Sequence, residues 1–192
     1  MSFETIRNVI QASIDVKKEI LDSELILAQI DELANHCLKS LQLGGKVIFA
    51  GNGGSFADSQ HLAAEFISRL QFDREPLASI ALGTNSSSTT AIGNDYGFDQ
   101  IFVRELKAVS RSGDVYIPIS TSGNSQNILA TIETAKRLNL HVVALTGSTG
   151  GKLKGQIPCI CVPSTRTERI QECHIMIGHI ICGLVEDRYF KK

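Results

Sequence analysis

The sequence predicts an α/β fold: a three-layer αβα, Rossmann-like domain with a five-stranded parallel sheet and a pair of helices in front of it. Three observations carry that prediction. Five short apolar, β-rich runs are separated by helix-length segments, several of these runs end in loops of small residues, and residues 1–43 contain neither Gly nor Pro. Strands that alternate with helices argue for a parallel sheet covered on both faces.

The elements follow in order. In residues 1–43 the apolar positions Ile6, Val9, Ile10 and Ile14, then Ile26, Ile30, Leu33 and Cys37, recur at helical spacing. They predict two amphipathic helices broken near Leu21-Asp22-Ser23, whose apolar stripe is hidden against the sheet or against another subunit. The strands are read at Lys46-Val47-Ile48-Phe49-Ala50, Ala78-Ser79-Ile80-Ala81-Leu82, and residues 115–119, 142–145 and 157–162. In such sheets ligands bind outside the carboxyl ends of the strands, so the loops 51–55, 120–125 and 146–151 are where chemistry is expected. One domain over residues 1–192, with 1–43 as a helical extension and subunit interface, is the expected organisation.

Composition narrows the partners. With 19 basic and 20 acidic residues, the formal net charge of −1 gives no footprint for nucleic acid or an anionic membrane. No run approaches the roughly 18–20 apolar residues of a membrane span, and Met1-Ser2-Phe3-Glu4 does not open like a secretory leader. A cytoplasmic protein with a small-molecule or protein partner is expected. Cys37, Cys159, Cys161, Cys173 and Cys182 form no CxxC pair, which suits free thiols in a reducing compartment; alternation puts Cys159 and Cys161 on one sheet face.

Three segments carry chemistry. Ser120-Thr121-Ser122-Gly123-Asn124-Ser125 brings four hydroxyls and a glycine between a strand and a helical run; backbone N–H groups there, helped by the hydroxyls, can hold a phosphate dianion without a lysine. It is not a P-loop, because GxxxxGK[ST] is absent. Gly51-Asn52-Gly53-Gly54-Ser55 repeats the logic after the first strand, but its GxGG spacing is not the dinucleotide fingerprint. The next helix places His61 and Glu65 at i and i+4, an imidazole and a carboxylate on one face. Near the C-terminus a long, mostly apolar helix carries Gln171, His174 and His179. Periodicity alone cannot choose between the two histidines. Two helices that each offer His with a carboxylate or amide can assemble a four-ligand N/O metal site of a kind zinc accepts.

In order and spacing, GNGGS, HLAAEF, GNDYG, STSGNS, LTG and RIQE followed by His174 and His179 resemble the sugar isomerase (SIS) fold and, within it, the sedoheptulose 7-phosphate isomerases, or phosphoheptose isomerases. The resemblance spans nearly the whole chain. It implies that Ser55, Ser120, Thr121, Ser122 and Ser125 hold the phosphate, that Asn52, Gly53, Gly54, Asn94 and Asp95 line the sugar site, and that Glu65 and Gln171 also reach the substrate. It further implies one zinc ion per subunit on His61, Glu65, Gln171 and His179, rather than His174, and a homotetramer, in which substrate sites can be completed across subunits; whether they are is left open by the sequence. The chain departs from the family pattern at Phe56-Ala57, in the Ser/Thr-rich segment 83–90, and at Glu168, where an aspartate often stands.

The implied reaction converts D-sedoheptulose 7-phosphate to D-glycero-D-manno-heptose 7-phosphate, the first step toward a nucleotide-activated heptose of the kind lipopolysaccharide contains. A proton must leave one carbon and return to its neighbour through a cis-enediolate, with Glu65 as the base and His179 as the acid–base partner at oxygen. Two other readings compete: an isomerase of another sugar phosphate, and a non-catalytic SIS protein that binds the bacterial replication initiator. The latter resembles this chain in its loops but lacks a histidine matching His179.

Overall fold

The computed structural model describes residues 2–191. Two helices, α1 (Phe3–Leu21) and α2 (Glu24–Gln42), precede the sheet. The break between them falls at Asp22 and Ser23, where the Ser23 hydroxyl accepts the Ile26 N–H and caps α2. There follow β1 (Val47–Gly51), α3 (Gly54–Ile67), β2 (Ser79–Ala81), α4 (Ser86–Tyr96), a 3-10 turn (Phe98–Gln100), α5 (Ile101–Val109), β3 (Val115–Ser120), α6 (Gln126–Arg137), β4 (His141–Val142), β5 (Ala144–Thr146), β6 (Cys159–Cys161) and α7 (Thr167–Phe190).

The sheet is parallel throughout, in the order β2-β1-β3-β5-β6, with β4 paired to β3 beside β5. The run 142–145, read as one strand, is interrupted at Val143, so β4 and β5 share one of five strand positions. Chain order reverses between β1 and β3. That is the switch point at which open α/β sheets bind ligands, and the loops 51–55 and 120–125 flank it.

Period-2 alternation builds two cores. Val47, Phe49, Val115, Ile117, Ile119, Leu145 and Ile160 face one layer with residues of α2, α3 and α7. Ile48, Ala50, Tyr116, Val142, Ala144 and Cys159 face the other, against α5 and α6. Cys161 packs on the same core as Cys159, as alternation requires, and all five cysteines are free.

The helical pair divides its labour. In α2, Ile26, Ile30, Leu33, Ala34, Cys37 and Leu41 are buried, so this helix belongs to the core. In α1 only Ile20 is buried, while Phe3, Ile6, Val9, Ile10 and Ile14 remain exposed. The segment 83–114, read as one helix-length connection, holds α4, the 3-10 turn and α5. Helix α4 has no buried residue and is started by Asn85, whose side chain accepts the Ser88 N–H.

Helices α3 and α7 lie side by side and run in the same direction. Gln171 meets Gly54, Gly178 meets Leu62, and Gly183 meets Gln71. A Cβ on Gly178 would stand 2.4 Å from Leu62 Cδ2, so any side chain here would have to push Leu62 aside. At the far end Glu186, fully buried, accepts the N–H groups of Leu70 and Gln71 and pairs with Arg74 at 2.9 Å. Breaking a buried pair of this kind from one side costs about 3–5 kcal/mol.

Candidate active site

The crevice at the switch point is closed by a reciprocal amide pair. Asn52 Nδ2 donates to Asn127 Oδ1 and Asn127 Nδ2 donates to Asn52 Oδ1, both at 2.8 Å. Asn127, which the sequence did not single out, is buried on α6 just past the hydroxyl loop; its signal was its place in the first turn of that helix.

Ser55 and Ser120 are buried, and Ser120 Oγ lies 3.0 Å from Ser125 Oγ. Ser122 is exposed and its hydroxyl accepts the Asn124 N–H, while the Thr121 carbonyl accepts the Gly147 N–H and ties this loop to the one after β5. Gly123 has φ +66°, and a Cβ there would stand 2.1 Å from the Gly150 carbonyl oxygen. Helix α6 begins directly afterwards, with Ser125 at its N-cap making no side-chain cap bond. Its hydroxyl is thus left to Ser120 and to a ligand at the free N–H groups. Gly53 has φ +55° and Gly54 lies under the Gln171 amide. A cavity of about 210 Å³ opens beside this loop, walled by Phe56, Phe98, Ile101 and Phe102 and edged by Asn52 and Gly53. Asn94 and Asp95 are exposed on α4, hydrogen-bonded to each other, and Asp95 lines a separate depression with Tyr96 and Arg104.

The second part of the site lies two helical turns down α3. His61 Nε2 stands 2.8 Å from His179 Nε2 and 3.1 Å from Glu65 Oε1. The donor atoms of these three residues all lie within 4.8 Å of one another, the only such cluster of His, Cys, Asp or Glu among the described residues. One ring nitrogen carries at most one proton, so His61 Nε2 cannot satisfy both neighbours by donating to them. A divalent cation accepts all three lone pairs at once, and two imidazoles with a carboxylate suit a borderline metal. The residues therefore fit a bound metal. Gln171, the fourth expected ligand, is at Gly54, eight positions and about 12 Å of helix rise before His179.

The two histidines of α7 separate cleanly. His174 is fully buried, its Nε2 3.1 Å from the Thr146 carbonyl oxygen, and burial holds its pKa down at about 4. It is a neutral packing group, and His179 is the one that faces α3. Asp58, one turn before His61 on the same face, is a neighbour that the sequence reading passed over. Its Oδ2 is buried without a partner, and desolvation pushes its carboxyl up to about 6, with His61 pulling the other way.

Fold and site define the class of protein. Residues 11–147 match the SIS domain. The chain is 51% identical over 187 residues to the phosphoheptose isomerase of Aneurinibacillus thermoaerophilus, covering 97% of this chain and 94% of that one. It is 50% identical to phosphoheptose isomerase 2 of Campylobacter jejuni, over 94% and 90% of the two chains. Among solved structures, a phosphoheptose isomerase from Francisella tularensis superposes with a TM-score of 0.91 at 34% identity, covering 97% of this chain and 99% of that one. One from Neisseria gonorrhoeae does so with a TM-score of 0.89 at 39% identity, covering 96% and 98%. This chain belongs to the phosphoheptose isomerase family and is an aldose–ketose isomerase.

Proposed function

We propose that this protein isomerises D-sedoheptulose 7-phosphate to D-glycero-D-manno-heptose 7-phosphate in the cytoplasm, as the first step toward a nucleotide-activated heptose, with one zinc ion per subunit. The observation that carries the reading is the meeting of His61, Glu65 and His179 across α3 and α7, on a helix that starts at the ligand-binding crevice. A protein that only bound another macromolecule would not need this acid–base set.

The strand-end loops bind and orient. Ser55, Ser120, Thr121, Ser122 and Ser125 with the first N–H groups of α6 hold the phosphate, and Asn52, Gly53, Gly54, Asn94 and Asp95 receive the hydroxyls of the sugar. His61, Glu65 and His179, with Gln171 as the fourth ligand, would hold the zinc ion, which would supply Lewis-acid polarisation of the substrate oxygens. Glu65 takes the proton from one carbon and returns it to the next. His179 moves a proton at oxygen, and in ring opening. A carboxylate oxygen engaged by a cation would be a poorer base, so Glu65 would act as base through an oxygen that the metal does not hold.

The whole chain 1–192 acts as one domain, and it assembles as a homotetramer. The exposed stripe of α1 supports this, since six large apolar side chains on one helix demand cover. Purified protein offered five-, six- and seven-carbon ketose phosphates should turn over the seven-carbon substrate best, lose activity on chelation with its helical circular dichroism intact, and regain it with zinc. Preference for a shorter sugar, or full activity in metal-free protein, overturns the corresponding part of the assignment.

A further inference from the structure

We propose that Arg74 and Glu186 are positioning residues, which set the axial register of α3 against α7 and so hold Glu65 and His61 at His179. The inference rests on the reading of those three residues as the reacting centre. In the middle of the seam Leu62 packs on Gly178 and the Cys182 thiol gives a long, weak hydrogen bond of 4.0 Å to the Leu62 carbonyl, contacts with little directional force. Direction is supplied at the lower end. Arg74 donates from Nη2 to the Glu65 carbonyl oxygen at 2.8 Å, and from Nη1 to those of Phe66 at 2.7 Å and Ser68 at 3.1 Å. It thereby closes the last turn of α3, where carbonyls have no intrahelical partner. The same guanidinium gives its Nε to Glu186, which also accepts Leu70 N and Gln71 N. Both side chains are at most 3% exposed.

Glu186 is seven residues, close to two turns, beyond His179, and thus on the same face of α7. The chain of bonds runs from the backbone of Glu65, through Arg74, to a carboxylate carried by the helix that carries His179. Any slip of one helix along the other breaks several directional, charge-assisted bonds at once, the strongest such bonds along this seam. Misplacement by about 1 Å can cost about a hundredfold in rate.

The deciding variant is Arg74→Lys. It keeps the charge opposite Glu186 but loses the planar fork that spans four carbonyls, those of Glu65, Phe66, Ser68 and Glu75. Glu186→Gln keeps the shape and removes the charge, and covers the case in which the lysine variant folds poorly. Each is measured well below its own melting temperature. Turnover should fall about tenfold with KM within about twofold, zinc affinity should weaken about tenfold or more, and the imidazole nitrogen resonances of His61 and His179 should shift while those of His36 and His141 stay. Lower melting temperatures with turnover, zinc affinity and both resonances unchanged would reduce the pair to a structural brace and overturn the proposal. Should the wild-type protein neither isomerise the heptose phosphate nor bind zinc, the functional assignment fails separately, and the metal-free resonances still decide the register.

Discussion

The strand-end loops and the α3–α7 seam are two ways of making a site. The loops are local: Gly51-Asn52-Gly53-Gly54-Ser55 and residues 120–125 each follow a strand, start a helix, and present backbone N–H groups that any sequence with this turn geometry would present. The seam is not local. His61 and His179 are separated by 118 positions and meet at 2.8 Å where α3 and α7 pack closely, Leu62 against Gly178. A loop site tolerates exchange of its side chains, since part of its binding is main-chain; a seam site does not.

The sharpest break of this comparison is at His179. Replacing it with Asn keeps a polar group on α7 but removes the proposed metal ligand and acid–base group, and turnover should fall by at least about a thousandfold. His174→Asn, five residues earlier, should leave appreciable activity, since that ring only meets the Thr146 carbonyl. Near-normal turnover in His179→Asn with collapse in His174→Asn, from steady-state kinetics on both, would reverse the assignment.

On the loop side, Gly123→Ala forces a side chain into positive φ and against the Gly150 carbonyl. KM for the sugar phosphate should rise about tenfold, with turnover at saturation within about threefold. A fall in turnover at unchanged KM would mean that the loop takes part in the chemistry.

The smallest effect concerns stability and separates the two histidines again. The folded protein holds the pKa of His174 near 4 against an ordinary value of 6.5, and that of His141 is lowered by burial and by the stacked His36. Both depressions favour the native state while the rings are neutral. As pH falls from about 6.5 through about 4 the unfolded chain takes up protons first, and up to about 3 kcal/mol is lost through His174. Thermal melts should show this slope, flattened in His174→Gln; equal slopes in the two proteins would contradict the burial argument.

The same contrast explains what the sequence disclosed. Strand positions, the αα break at Asp22 and the hydroxyl-rich loop 120–125 between β3 and α6 were legible because each is written in a short stretch. The partner of His61 was not, since Gln171, His174 and His179 all fit a mostly apolar helix; only the family resemblance, and then the packing of Gly178 on Leu62, distinguished them. Helix α4 was missed because Ser86-Ser87-Ser88-Thr89-Thr90 has neither apolar period nor strong helix propensity. The apolar stripes of α1 and α2 look alike in sequence, yet only that of α1 stays exposed, a difference made by which helix reaches the sheet. Asn127 and Asp58 acquire meaning only from what stands opposite them.

His61 is half exposed at the reacting centre. A carbanion-like intermediate next to open solvent would trade its proton with bulk water, so in the proposed tetramer the cover that a neighbouring subunit would provide becomes part of the chemistry. Catalytic efficiency then depends on how much protein is in the tube. On serial dilution through the dissociation range of the assembly, specific activity should decline, and product formed in deuterated water from the diluted enzyme should carry more deuterium at the isomerised carbon than product from the concentrated one.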